Sequence, residues 1–158
     1  MKYTIGISEM RVSNQAEDVL ITYSLGSCIG VTIYDPIEHV GGMIHCMLPT
    51  SKVDSQKARS FPCMFVDTGV PLLFNEAYKL GAKKERIIIK VAGCSQILDD
   101  KGLFNIGERN YITFRKLLWK NSLLINSEDV GGNDSRTLYL EIDTGKVIVK
   151  SLDRNIEL

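Results

Sequence analysis

Cys28 and His45 are the residues of this chain whose types and spacing suit a nucleophile and its base. Cys28 closes the segment Thr22-Tyr-Ser-Leu-Gly-Ser-Cys28 and precedes Ile-Gly, so it sits in a Gly-Ser turn at the edge of an apolar β-type run. Gly42-Met-Ile-His45 brings an imidazole to the end of what reads as a neighbouring strand. A free thiol is only a few per cent thiolate at neutral pH, and a nearby imidazole is expected to raise that fraction. In such a pair His45 deprotonates Cys28 and later protonates a leaving amine. The glycines around Cys28 leave room for a substrate to approach, and backbone N–H groups at the turn suit the oxyanion of an acyl-transfer intermediate.

Thr22 lies six residues before Cys28, at the end of the preceding β segment. If its hydroxyl reaches His45, it fixes the ring as the third member of a catalytic triad does. Each residue also has a plain structural reading. Free cysteines are usually core, a strand histidine is commonly satisfied inside a core, and threonine is an ordinary strand residue. His39 follows Pro-Ile-Glu in a turn and reads as exposed and inert. Cys46 alternates to the face opposite His45 and reads as core. Cys63 and Cys94 read as structural, with Cys94 in the turn Ala92-Gly-Cys-Ser placed where it borders the site. There is no C-x-x-C, and Cys28, His45 and Cys94 match no ligand spacing, so neither a metal nor another cofactor is expected.

A length of 158 residues suits one compact domain, expected to span 1–158. Nineteen basic and nineteen acidic residues cancel, so no global field favours nucleic acid or an anionic membrane. The start has no long apolar core of a signal peptide, and no apolar run approaches the ~18 residues of a membrane span. A cytoplasmic location is the resulting expectation. Four widely spaced cysteines without a secretion signal argue against a disulfide framework.

The elements that must position these side chains follow from periodicity. Short β segments are predicted over 5–7 and 18–23, then strands over 29–34 and 40–48 separated by the turn Asp35-Pro36. Those two strands form a hairpin that puts Cys28 and His45 at one end of a sheet. Residues 50–63 read as a loop. A helix capped by Asp67 or Thr68 runs to Leu80, with Leu73, Ala77 and Leu80 on one face and Gly81 as its C′ residue. A buried strand covers 87–92, and a second helix covers about 107–120 with Tyr111, Phe114 and Leu118 in step. Further β structure is predicted over 122–125, with a turn at Asp129-Val-Gly-Gly132. Alternation at Leu138, Leu140 and Ile142 and a hairpin turn at Asp143-Thr-Gly145 then lead into 147–149. The sum is an α+β fold of seven or eight strands in packed, sandwich-like mixed sheets with two main helices.

These residues resemble the chemoreceptor glutamine deamidase family, CheD. The resemblance is carried by Leu25-Gly-Ser-Cys28, Tyr34-Asp-Pro36, Gly41-Gly-Met-Ile-His45 with Met47-Leu-Pro49, Ile106-Gly-Glu-Arg-Asn110, Asp129-Val-Gly-Gly132 and Thr144-Gly145. It implies hydrolysis of glutamine side-chain amides on the cytoplasmic helices of bacterial chemoreceptors. The implied catalytic set is Cys28, His45 and Thr22, working through a cysteine thioester without a cofactor. It also implies an αβ fold like that of deamidating bacterial toxins, and a CheC-type response-regulator phosphatase as a partner in some members. The alternatives are a non-catalytic chemotaxis adaptor that binds such a phosphatase, and a thiol esterase using the same cysteine.

Overall fold

The computed structural model describes residues 1–96 and 105–158, whose ten strands form two five-stranded sheets. The first sheet runs β1 (Lys2–Thr4), β3 (Val19–Leu25), β8 (Arg136–Glu141), β9 (Val147–Ser151), β10 (Arg154–Glu157). The second runs β2 (Glu9–Ser13), β5 (Val40–Cys46), β4 (Ile29–Asp35), β6 (Ile88–Gly93), β7 (Ser127–Val130). Both are mixed: β1 joins β3 and β6 joins β7 in parallel, and the remaining pairs are antiparallel. Three α-helices accompany them among the described residues: α1 (Ser55–Ser60), α2 (Val66–Lys79) and α3 (Ile106–Lys120). None of the described helices is long and apolar enough to cross a membrane.

The layers follow from which faces are apolar. Leu138 and Leu140 on β8 are buried while Thr137, Tyr139 and Glu141 are half-buried, the period-two pattern of a sheet covered on one face. Every residue of β4 and β5 is buried, because the second sheet is covered on both faces. On one side Leu20, Leu25, Met43, Leu138 and Leu140 fill the space between the sheets. On the other, Val31, Ile33 and Ile44 pack against Val70 and Leu73 of α2 and Phe114 of α3. The early strands alternate between sheets, so the β3–β4 turn carries the chain, and Cys28, from one layer to the next.

Several boundaries differ from those predicted. The strand expected over 5–7 is instead Lys2–Thr4, and β2 and β10 were not foreseen. The 50–63 loop contains α1, capped by Asp54 accepting from Lys57 N at 2.9 Å; with one buried residue, Ala58, it leaves almost no apolar periodicity. α2 has Phe65 as N-cap with no side-chain cap bond. Asp67 instead accepts from Ser51 N at 2.9 Å, and Thr68 donates to Pro62 O at 2.6 Å, so both side chains tie the preceding segment to the helix. Leu80 lies beyond the last helical residue and is exposed, whereas Gly81 takes a left-handed φ of 103° as a C′ glycine does. The β segment expected at 122–125 falls instead at Ser127–Val130. Its Asp129 is held by Arg136 at 2.9 Å and Arg154 at 3.2 Å, which makes a charged edge strand tolerable.

The β4–β5 hairpin sets the register of the site, and Asp35 anchors its turn. The buried carboxylate accepts from Ile37 N at 2.9 Å, Glu38 N at 3.2 Å, Lys83 N at 2.9 Å and Arg86 Nε at 3.0 Å. Burial alone would raise its pKa, but Arg86 and the three backbone donors outweigh burial and hold the carboxyl well below the usual range. That stabilisation is present at neutral pH and erodes as pH falls below the ordinary carboxylate value of about 4. Asp35→Ala strands three backbone donors and is expected to lower unfolding free energy by about 2–4 kcal/mol, measured by urea denaturation at pH 7. The deficit should shrink when the same comparison is made in acid.

Candidate active site

The site lies between the sheets, and its geometry starts from one hydroxyl. Thr22 is fully buried on β3, just ahead of a register shift between Thr22 and Leu25. Its Oγ1 lies 2.7 Å from the carbonyl of Ile5 and 2.7 Å from Nδ1 of His45. A carbonyl can only accept, so the single hydroxyl proton goes to Ile5. Oγ1 must then accept from Nδ1–H, which leaves Nε2 unprotonated in the neutral ring. Nε2 is buried and has no hydrogen-bond partner among the described residues.

His45 sits on β5 between β2 and β4, opposite Glu9 and Gly30, and is 1% exposed. Gly30 offers no side chain to crowd the ring, and a Cβ there would come within 2.8 Å of Leu25 Cδ1. Cys28 lies two residues before Gly30 and packs on the inter-sheet cluster, so it shares the face of the sheet that carries His45. The thiol is half-buried, and no hydrogen bond joins it to Nε2. Cys46 belongs to the helix-side cluster, away from the imidazole.

The electrostatics differ from the expected thiolate-rich pair. Burial pushes the Cys28 thiol up, a rise that its own backbone N–H partly offsets. Burial also pushes His45 down, to about 4. Both effects favour neutral forms, so near pH 7 the resting groups are a thiol and a neutral imidazole with Nε2 bare. Such an imidazole is free to accept a proton at Nε2 and does not hold a thiolate in the resting protein.

The turn that presents Cys28 is held by residues distant in sequence. Ser95 N donates to Gly26 O, Asn110 Nδ2 to Ser27 O and Cys94 N to Cys28 O, each at 2.9 Å. These bonds require the chain to turn sharply after β6. Gly93 and Cys94 have φ of 103° and 56°, and a Cβ on Gly93 would lie 2.4 Å from Cys28 O. Arg136 Nη1, nearly buried, donates to Gly93 O at 3.2 Å. Cys94 therefore borders the nucleophile turn through its backbone, while its thiol faces the helix-side core. His39 is exposed, with Nδ1 2.9 Å from the Tyr34 hydroxyl, remote from this cluster in the β4–β5 turn. Among the described residues no cluster of three or more His, Cys, Asp or Glu has metal-binding geometry.

Sequence reasoning passed over Ile5, Ser95 and Asn110. The first acts through a main-chain carbonyl, which no residue type announces. Asn110 lies in Ile106-Gly-Glu-Arg-Asn110, whose residue types signal no contact with a turn 83 positions earlier.

A family profile described as CheD chemotactic sensory transduction matches residues 47–151. "Probable chemoreceptor glutamine deamidase CheD 1" of Syntrophus aciditrophicus (strain SB) is 56% identical over 147 residues, covering 93% of this chain and 92% of that protein. "Probable chemoreceptor glutamine deamidase CheD" of Solibacter usitatus (strain Ellin6076) is 44% identical over 154 residues, covering 98% and 91%. The similarly named protein of Pyrococcus abyssi (strain GE5 / Orsay) is 38% identical over 150 residues, covering 94% and 90%. With sequence similarity running nearly end to end at these identities, the chain belongs to the CheD family.

Proposed function

We propose that this protein is a protein-glutamine deamidase acting on bacterial chemoreceptors, with Cys28 as nucleophile, His45 as proton carrier and Thr22 as the group that sets the imidazole. The observation that carries the reading is Thr22 accepting from Nδ1, which leaves a bare Nε2 on the sheet face shared with Cys28. The names of the relatives supply the substrate class.

As Cys28 Sγ adds to the amide carbon, its proton passes to Nε2, and the carbonyl oxygen becomes an oxyanion. Collapse of that intermediate breaks the C–N bond, and His45 returns the proton to the departing nitrogen, releasing ammonia and leaving a thioester. Water then adds to the thioester carbon, losing its proton to Nε2. Collapse expels the thiolate, which regains the proton, and glutamate is left on the receptor. Approach of Sγ to Nε2 accompanies substrate binding, as catalytic hydrogen bonds commonly tighten only in the complex. Thr22 contributes by keeping the tautomer correct and by accepting from Nδ1–H when the ring is charged.

The cytoplasmic receptor helices that the family resemblance implies put the reaction in the cytoplasm, and we assign it to a single domain over 1–158. The resemblance alone supports a CheC-type phosphatase as a regulatory partner. No observation favours a purely adaptor role or an esterase over the deamidase.

Incubation with a receptor cytoplasmic fragment, followed by peptide mass mapping, is expected to show specific glutamines converted to glutamate, and Cys28→Ala to abolish the conversion. Thr22→Val should lower kcat by about 10²-fold with KM little changed, and Thr22→Ser should restore most of it. Equal rates for the valine variant and the wild type would remove Thr22 from the mechanism. The pH dependence follows from burial. Since the productive form is a thiol beside a neutral imidazole, kcat/KM should be flat from about pH 5 to 8 and fall only as His45 is protonated near 4. Alkylation of Cys28 by iodoacetamide should instead keep rising past pH 9, because the thiol lies above its ordinary value.

A further inference from the structure

We infer that Asn110 is a positioning residue that aims the backbone N–H of Cys28 at the oxyanion of the reaction. The inference rests on the deamidase reading above and deepens it.

Asn110 is completely buried on the first turns of α3. Its Nδ2 donates to Ser27 O at 2.9 Å and to Met47 O at 3.2 Å. Both neighbours are carbonyl oxygens, so the amide must present its nitrogen to them. Its Oδ1 is buried without a partner among the described residues, an arrangement that costs stability. Stability alone would favour a side chain satisfied at both ends. The double donor is kept in spite of that cost, and both its bonds end beside the proposed catalytic residues.

One bond holds the peptide unit joining Ser27 to Cys28. In a trans peptide the C=O and N–H point in opposite directions. With Ser27 O drawn to Asn110, the N–H of Cys28 is directed away from the helix, and it bears on the Cys28 sulfur. That is where a backbone donor must sit to meet the oxygen of an amide whose carbon is attacked by Sγ. The second bond ties the same amide to Met47, two residues past His45, so one side chain holds the nucleophile turn against the end of the histidine strand. The carbonyls of Gly26, Ser27 and Cys28 are each held from outside the turn, and Asn110 supplies the one side-chain donor of the three. It is thus the donor that substitution can remove.

The test compares Asn110→Leu and Asn110→Ala with the wild type in two reactions on the folded protein. Leucine fills about the same volume and has no polar donor. Deamidation of a receptor fragment builds an oxyanion, whereas iodoacetamide alkylation displaces iodide at a CH2 group and builds none. Both variants are expected to lose about 10²-fold in kcat with KM little changed. Their alkylation rates should fall far less, through the smaller thiolate fraction alone. Wild-type kcat in either variant overturns the inference, as does a loss shared equally by deamidation and alkylation. Failure of both variants to fold also overturns it, since Asn110 would then serve stability alone. A wild type with no deamidase activity sinks the underlying reading, and this inference with it; an active wild type with unaffected variants sinks the inference alone.

Discussion

The hydroxyl of Thr22 has one proton, and the carbonyl of Ile5 takes it. From that follows the state of the imidazole 2.7 Å away: Nδ1 must donate, and Nε2 is left as a lone pair. An acidic residue in the same place would fix the tautomer too, but it would raise the basicity of a ring that burial has pushed to about 4. A hydroxyl orients without adding charge. The consequence is a neutral resting pair with no ion pair, and in the proposed mechanism proton transfer accompanies the attack.

Two sheets are needed to build this. Thr22 stands on the first and His45 on the second, and the chain reaches both by switching layers at each of its first connections. Interior strands β4 and β5 are apolar on both faces because helices cover one side and a sheet the other. An imidazole placed there is dry, which keeps it neutral, and gripped on Nδ1, which keeps it still. The half-buried Cys28 sits in the layer-changing turn just before interior strand β4, so it is partly exposed whereas His45 is sealed. Under the proposed mechanism, a partly exposed nucleophile with a sequestered base suits a substrate that is itself a protein.

The turn that carries Cys28, the proposed nucleophile, is equally over-determined. Donors from the end of β6 and from α3 take its three carbonyls in succession, and left-handed backbone at Gly93 and Cys94 makes the approach fit. Residues 66 to 83 positions later thereby shape a segment whose own composition, Leu-Gly-Ser-Cys, only permits a turn.

Strong local signals carried much of the fold in the sequence. The helices ending near Lys79 and Lys120 and the alternation along β8 were legible because each buries a single face with its own period. The fully apolar strands, the Asp-Pro turn and the candidates Cys28, His45 and Thr22 were legible as types in order. Short α1 and the edge strands β2, β7 and β10 were not, since half-exposed edges and a six-residue helix leave no apolar period to read. Which nitrogen of His45 is bare, that burial neutralises the pair, and that Asn110 reaches the nucleophile turn were decided by tertiary structure alone. Those properties belong to distances between layers and to main-chain carbonyls, and residue identity encodes neither.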